Sequence, residues 1–386
     1  MNIYLDNNAT TPLHPAVKKE IRKYLDYYGN PSSMHETGRN VKNILIKSRE
    51  KVAEFFNVNP SNIIFTSSGS EANNTVLKSI IYKKYEFTPH VIISNIEHPA
   101  VLNTARFLEK NGVDVTYLPV NDDGVVSLND LKKEIRKETV LVSIMWANNE
   151  IGTVQPIEEI AEFLNDKDIL FHTDAVQAAG KVTVDLNETK VDFASFSGHK
   201  IYAPKGVGIL YIRNFEKNRR FITPLIHGGH QERGIRASTE NTIGIAAIGK
   251  TCEMLKNEME EEVKKIKSLR DYFEKEVKKR IPEIIINGKN SERLPGTSNI
   301  TFKHVEGESI LLRLDLKGIK VSTGSACSTG SLDPSHVLTA ISKDPEVAHG
   351  SIRFSLGREN TREEIDYTLN VLEEEIEKLR KMSPLK

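Results

Sequence analysis

Between residues 63 and 212, short apolar runs alternate with amphipathic helical stretches, and this alternation constrains the fold more than any other feature of the chain. Runs at 63–65, 90–94, 113–118, 140–145, 169–172, 191–194 and 208–212 are rich in Val, Ile and Phe and too short for helices. The stretches between several of them, 71–82, 98–110, 128–137 and 157–164, carry apolar residues at helical spacing. Short apolar strands interleaved with helices predict a mostly parallel sheet covered on both faces, an α/β architecture. Upstream, an extended piece ends in the polar turn at 6–12. One helix then begins near Pro15, with Val17, Ile21 and Leu25 on one face, and a second runs to Phe56.

From Thr242 the pattern changes. A Glu- and Lys-rich helical stretch runs to about Arg280, followed by short strands (284–286, 298–302, 319–321) and helices (309–316, 362–381), which reads as a smaller α+β unit. A chain of 386 residues exceeds one comfortable core. The expected division is a large domain over 14–258 and a small domain made from 1–13 and 259–386. Fifty-three basic residues balance 53 acidic ones, so no single-sign field points to nucleic acid or a membrane surface. The two cysteines, Cys252 and Cys327, cannot build a disulfide framework or a Cys-rich zinc site, which fits a reducing, cytoplasmic setting.

In open parallel sheets, working groups collect just beyond the carboxyl ends of the strands. Lys200 closes the run SFSGHK at such an end. An isolated lysine is ordinarily a solvated surface charge. One delivered by a strand into a Ser/Gly/His loop suits an amine that acts as a nucleophile, for instance in a Schiff base with a carbonyl cofactor. In the strand-to-helix run 66–71, Gly69 permits close backbone approach, Ser70 can cap, and the first helical N–H groups make an anion site; a plain capped helix is the alternative. Asp174 ends another strand, where a carboxylate can hold a pyridine nitrogen protonated, and Gln177 can hydrogen-bond the ring's phenolic oxygen. A helix-capping Asp is equally compatible with that position.

His98 begins a helix after a strand; its imidazole can stack on a planar cofactor and relay protons, or simply cap. Asn148 ends a further strand, where an amide can donate to cofactor or substrate. Arg353, strand-borne, suits a bidentate clamp on a carboxylate, with a surface ion pair as the alternative. Cys327 lies in a Gly/Ser/Thr run with little apolar anchorage, so an exposed, movable thiolate that takes up a group and hands it on is expected. Cys252, within the long helix, reads as inert packing. His227 and His230 flank two glycines and read as turn or phosphate chemistry rather than a metal site.

Taken in order, SFSGHKIYAPKG, LDNNATT, EHPAV, ANNEIGTVQ, HTDAVQ, SACSTGSLDPSHVL and SIRFSLGREN resemble the cysteine desulfurases of the NifS/IscS type over essentially the whole chain. These are fold-type-I pyridoxal-phosphate enzymes of the class-V aminotransferase group, with a large mostly parallel domain and a smaller α+β domain. The resemblance implies pyridoxal 5'-phosphate as cofactor, with Lys200 as Schiff-base lysine, Asp174 as pyridinium partner, Gln177 as the contact to the ring oxygen and His98 as the stacking residue. Asn148 would lie near that oxygen and the substrate, and Gly69, Ser70, Ser197 and His199 would cradle the phosphate. Thr239 would reach the phosphate of a neighbouring subunit, implying a homodimer. Arg353 would clamp the carboxylate of L-cysteine.

Catalysis would rest on Lys200, Cys327 and His98, with alanine as product and a persulfide on Cys327. That sulfur would pass to acceptors such as an iron–sulfur scaffold. No resident metal is implied, although Cys327 can transiently contact an iron–sulfur cluster. A selenocysteine lyase or a class-V aminotransferase would share Lys200 and Asp174, but transamination has no need of an exposed loop cysteine. Three positions depart from the family's usual pattern. Ser70 replaces Thr, and His227 and Ser238 stand where Gly is common, so a positive φ at either of the last two would strain the backbone.

Overall fold

The computed structural model describes residues 2–323 and 334–383. β1 (Ile3–Tyr4), α1 (Pro15–Tyr24) and α2 (Glu36–Phe55) precede the alternation. It then runs β2 (Ile63–Thr66), α3 (Gly69–Lys78), β3 (His90–Ser94), α4 (Pro99–Glu109), β4 (Asp114–Leu118), α5 (Leu128–Glu134) and β5 (Thr139–Ser143). It continues through α6 (Ile157–Asn165), β6 (Leu170–Asp174), β7 (Phe193–Ser197), β8 (Gly208–Ile212) and the short α7 (Phe215–Asn218). The seven strands form one sheet in the order β2-β8-β7-β6-β5-β3-β4.

All neighbours are parallel except those of β8, which runs antiparallel to both β2 and β7. The connection from β7 to β8 spans only residues 198–207, too short for the crossover that a parallel partner requires. β3, β7 and β8 are buried along their whole length, and β5 at all but Val140, because helices cover both faces. One face packs Phe56, Phe171, Phe196 and Leu255; the other packs Val76, Ile93, Leu108 and Phe193.

Local differences from the sequence reading have identifiable causes. The strand expected at 191–194 begins at Phe193 and runs to Ser197, so Ser195–Ser197 is strand, and only Gly198–Lys200 is a turn, of the 3-10 type. The cap of α3 is Ser68, whose hydroxyl accepts from the Glu71 N–H; the helix therefore starts at Gly69, and Ser70 lies inside its first turn.

α8 (Thr242–Arg280) is a single helix of 39 residues, about 58 Å long at the standard rise. Its first half packs Ile245, Ile248 and Leu255 against the large sheet, while Ile266, Phe273 and Val277 belong to a separate apolar core. Gly249 lets α8 cross α2 closely: a Cβ there would stand 2.8 Å from the Ser48 Cα. The second core gathers β9 (Ile284–Ile286), β10 (Thr297–Phe302), α9 (Gly307–Leu316) and β11 (Ile319–Lys320). The chain ends in α10 (His336–Ile341), α11 (Pro345–His349), β12 (Ser351–Ser355) and α12 (Arg362–Met382), which starts with a Thr361/Glu364 capping box.

β12-β10-β9 form an antiparallel sheet, and β1 pairs parallel with β11, which brings Ile3 and Leu5 into the second core. From there residues 6–11 cross to the large sheet as a strap. The Asn7 N–H donates to the Ser355 carbonyl and the Thr11 N–H to the His199 carbonyl. A smaller apolar cluster joins Ile96, Met145 and Ile151 above the large sheet to Val337, Leu338 and Val347 of α10 and α11. Among the described residues, no helix is long and apolar enough to cross a membrane.

Candidate active site

β2, β3, β5, β6 and β7 all deliver their carboxyl ends to one edge of the large sheet. A cavity of about 330 Å³ opens there, roofed by the strap and by β12. Gly69, Ser70, His98, Asp174, Gln177, Ser197, His199, Lys200 and Arg353 all line it. Nine of the residues singled out from sequence are thus brought together. Asn148 is not among them. Its amide oxygen accepts from the Glu150 and Ile151 N–H groups and its nitrogen donates to the Ile96 carbonyl, so Asn148 builds the turn after β5, and its neighbour Asn149 lines the cavity. Cys327 lies outside the described residues.

Lys200 is held over the floor by the strap. Its Nζ donates to the Asn8 carbonyl at 2.5 Å and the Ala9 carbonyl at 2.8 Å. At the next strand end Asp174 is buried; one carboxylate oxygen accepts from Asn73 Nδ2 at 2.6 Å and the other from the Val176 N–H at 3.0 Å. Gln177 Nε2 donates to the Asn8 carbonyl at 2.9 Å, and Gln177 Oε1 accepts from Lys181 Nζ at 2.5 Å. Asn8 also donates through Nδ2 to the Asn149 carbonyl and to Thr297 Oγ1, so one strap residue joins both halves of the molecule.

His98 caps α4, its Nδ1 accepting from the Ala100 N–H, which places the proton of the neutral ring on Nε2. Burial lowers its pKa; the nearby Lys200 and His336 push the same way and Asp174 opposes them. His199 is pulled down to about 4 by burial and by Lys200, Lys205 and Lys181, so it is neutral at physiological pH. On the opposite wall the buried Arg353 donates from Nη1 to the Asn149 carbonyl at 3.0 Å and from Nη2 to Asp6 Oδ1 at 2.7 Å.

The lining fits an anionic, planar group carrying an aldehyde and a phosphate. Lys200, Lys181 and Arg353 give the site a cationic character, and α3 begins at its rim with Gly69, where the first N–H groups of a helix lack intrahelical acceptors. Gly69 is needed for that approach, since a Cβ there would stand 2.5 Å from Val176 Cγ2. Asn73 Oδ1 and Arg353 Nε are both buried without a hydrogen-bond partner among the described residues, the mark of groups that await a ligand.

Thr239 is elsewhere in the single chain. It lines a second cavity of about 160 Å³ with Ser67, Gly206 and Arg236, on the far side of the α3 start. Ser238, beside it, has φ +96°, a region where glycine is favoured, whereas His227 lies outside the positive-φ region. Sequence reasoning missed Asn8, Asn73, Asn149 and Lys181. The motif LDNNATT held the only signal for Asn8, a polar run too short to be a core strand. Nothing in the sequence pattern ties it to Lys200, 192 positions away.

The family model for class-V aminotransferases matches residues 3–368. "Cysteine desulfurase IscS" of Dictyoglomus turgidum is 51% identical over 385 residues, covering 100% of this chain and 97% of that protein. The protein of the same description from Methanosarcina thermophila is 47% identical, covering 99% and 94%. Among solved structures, a "NifS-like protein" superposes with a TM-score of 0.91 at 40% identity, over 98% of this chain and 100% of that one. A structure described as "SspA in complex with cysteine" gives a TM-score of 0.81 at 35% identity, over 93% and 100%. With the strand-end cavity in place and this likeness running the length of the chain, the chain belongs to the class-V aminotransferase family, among its cysteine desulfurases.

Proposed function

We propose that this cavity binds pyridoxal 5'-phosphate and that the chain uses it to take sulfur from L-cysteine, leaving L-alanine and a persulfide on Cys327. The observation that carries this reading is the pairing, at adjacent parallel strand ends, of the Lys200 amine with the Asp174 carboxylate, beneath an arginine wall. When bound, the cofactor supplies an electron sink that withdraws charge from the substrate's Cα. Lys200 would hold its aldehyde, Asp174 its ring nitrogen, Gln177 its ring oxygen, and Ser70, Ser197 and His199 its phosphate. Asn149 takes the lining place expected of Asn148.

The protein's own groups then have defined tasks. Arg353 orients the substrate carboxylate, with Asp6 and the Asn149 carbonyl fixing the guanidinium plane. His98 offers its face to the ring and holds a proton at Nε2. Lys200 Nζ, already within reach of two carbonyls of the strap, moves a proton to and from the substrate carbon. The C–S bond of cysteine breaks as the Cys327 thiolate takes the sulfur, and the proton balance closes with alanine.

The same resemblance supports a cytoplasmic homodimer in which Thr239 serves the partner's phosphate, a division into 14–258 and 1–13 plus 259–386, and delivery of sulfur to an iron–sulfur scaffold. The test is an absorbance spectrum of the purified protein with assays of alanine and persulfide. A cofactor band that is absent in Lys200→Ala and retained in Cys327→Ser, with sulfur release lost in both, is expected. Normal sulfide release by Cys327→Ser would overturn the persulfide role.

A further inference from the structure

Behind Gln177, outside the ring of cavity-lining residues, lies a second buried cation. Lys181 Nζ stands 2.5 Å from Gln177 Oε1 and 3.3 Å from Asn8 Oδ1. An ammonium donates and cannot accept, so the atom of Gln177 facing it is the oxygen. The atom facing the Asn8 carbonyl, an acceptor, is therefore the nitrogen. The orientation of the Gln177 amide is settled by its two partners rather than by its own preference. A primary amide nitrogen carries two hydrogens; one goes to Asn8, and the Gln177 side chain borders the cavity.

We propose that Lys181 is a positioning residue: while charged, its ammonium pins the oxygen of Gln177, so that the site turns an N–H donor rather than a carbonyl toward the ring oxygen of the bound cofactor. This rests on the pyridoxal-phosphate reading given above. A donor stabilises the deprotonated form of that oxygen, while a flipped amide would oppose it.

The surroundings of Lys181 favour a conditional lock. The stem is half-buried while the amine is desolvated, and burial, followed by the charges of Lys200 and Arg353, brings the amine down to about 7. Around it stand Lys200 and His199 after β7, Arg353 on β12, and Glu262 of α8 with Tyr202, which border the same small cavity as Lys181. Glu262 is engaged by the Tyr202 hydroxyl at 2.5 Å. A neutral amine can accept as well as donate, so the lock is strongest below neutrality and weakens above it.

The experiment is a pH titration of the bound cofactor's absorption band in wild-type holoenzyme, Lys181→Met, Lys181→Gln, Gln177→Met and the Lys181→Met/Gln177→Met double variant. Loss of the lock raises the midpoint, and the expected shift in Lys181→Met is about one pH unit, tenfold in the protonation equilibrium. In the Gln177→Met background that shift should fall below about half its size, because the effect passes through the amide. Should Lys181→Met fail to fold, Lys181→Gln, which lacks the charge and is about one methylene shorter, is expected to move the midpoint in the same direction by a smaller amount. An unchanged midpoint in a folded, cofactor-loaded Lys181 variant overturns the proposal. So does a full shift in the Gln177→Met background, which would make Lys181 a remote charge. A wild-type protein without a cofactor band would instead overturn the reading on which the proposal stands.

Discussion

The two walls of the cavity are built in opposite ways. The sheet wall consists of strand ends many of whose polar groups are tied to others of the same large sheet and its helices: Asp174 to Asn73, Gln177 to Lys181, His98 to its own helix start. The wall made by β12 and the strap depends on partners far away in the chain, with Arg353 held by Asp6, 347 positions removed, and left with one buried N–H unpartnered among the described residues. The first wall is preorganised for a resident group. The second keeps donor capacity open, as suits a site that must accept and release a substrate carboxylate at each turnover.

The largest effect should come from the sheet wall. Lys200→Ala is expected to lower alanine formation from L-cysteine by at least about a thousandfold. A variant retaining a tenth of normal turnover would break the division of labour. Arg353→Ala should cost about tenfold to a hundredfold in kcat/KM, mostly as a higher KM, with the cofactor band unaltered. If the band were lost as well, the walls would not be separable.

Within the sheet, His172 bridges Ser143 and Ser195, and burial takes it down to about 3. The unfolded chain binds a proton there from about pH 6.5 downward and the folded chain does not, so this residue's contribution to stability is lost as pH falls from about 6.5 toward 3. His172→Gln should therefore flatten the decline of the urea midpoint between pH 7 and pH 5, and an equally steep decline would count against it. The smallest effect is at the second cavity. Ser238→Gly, relieving the positive φ, should raise stability by about 1 kcal/mol, read as a higher denaturant midpoint with the same slope.

The same contrast governs what can be read from sequence. Asp174 and Lys200 were legible because one closes a strand and the other closes the short turn after the next strand, and a parallel sheet carries such positions to one edge. At 148–149 the cavity is lined by Asn149 and not by Asn148. An Asn whose oxygen caps the N–H groups two and three positions on is a turn builder, and in Asn148-Asn149-Glu150 either amide fits that part by type. Asn8 and the Asp6–Arg353 pair were illegible for another reason. They come from the parallel pairing of β1 with β11 and the crossing of the strap, and no local periodicity encodes a register between residues 3 and 319. Ser238 shows the reverse case, a departure noticed in the sequence that the backbone carries as a positive φ.

The strap has a consequence for how the enzyme comes into being. Asn7 and Asn8 lock onto Ser355, 348 and 347 positions later, so during synthesis the large sheet can assemble long before the residues that fix its roof have left the ribosome. Until then Lys200 lacks the two carbonyls that hold its amine, and Arg353 does not yet exist. A nascent chain would thus carry the floor of the site without its working geometry, and reactive chemistry would be withheld until the last β-strand closes over it.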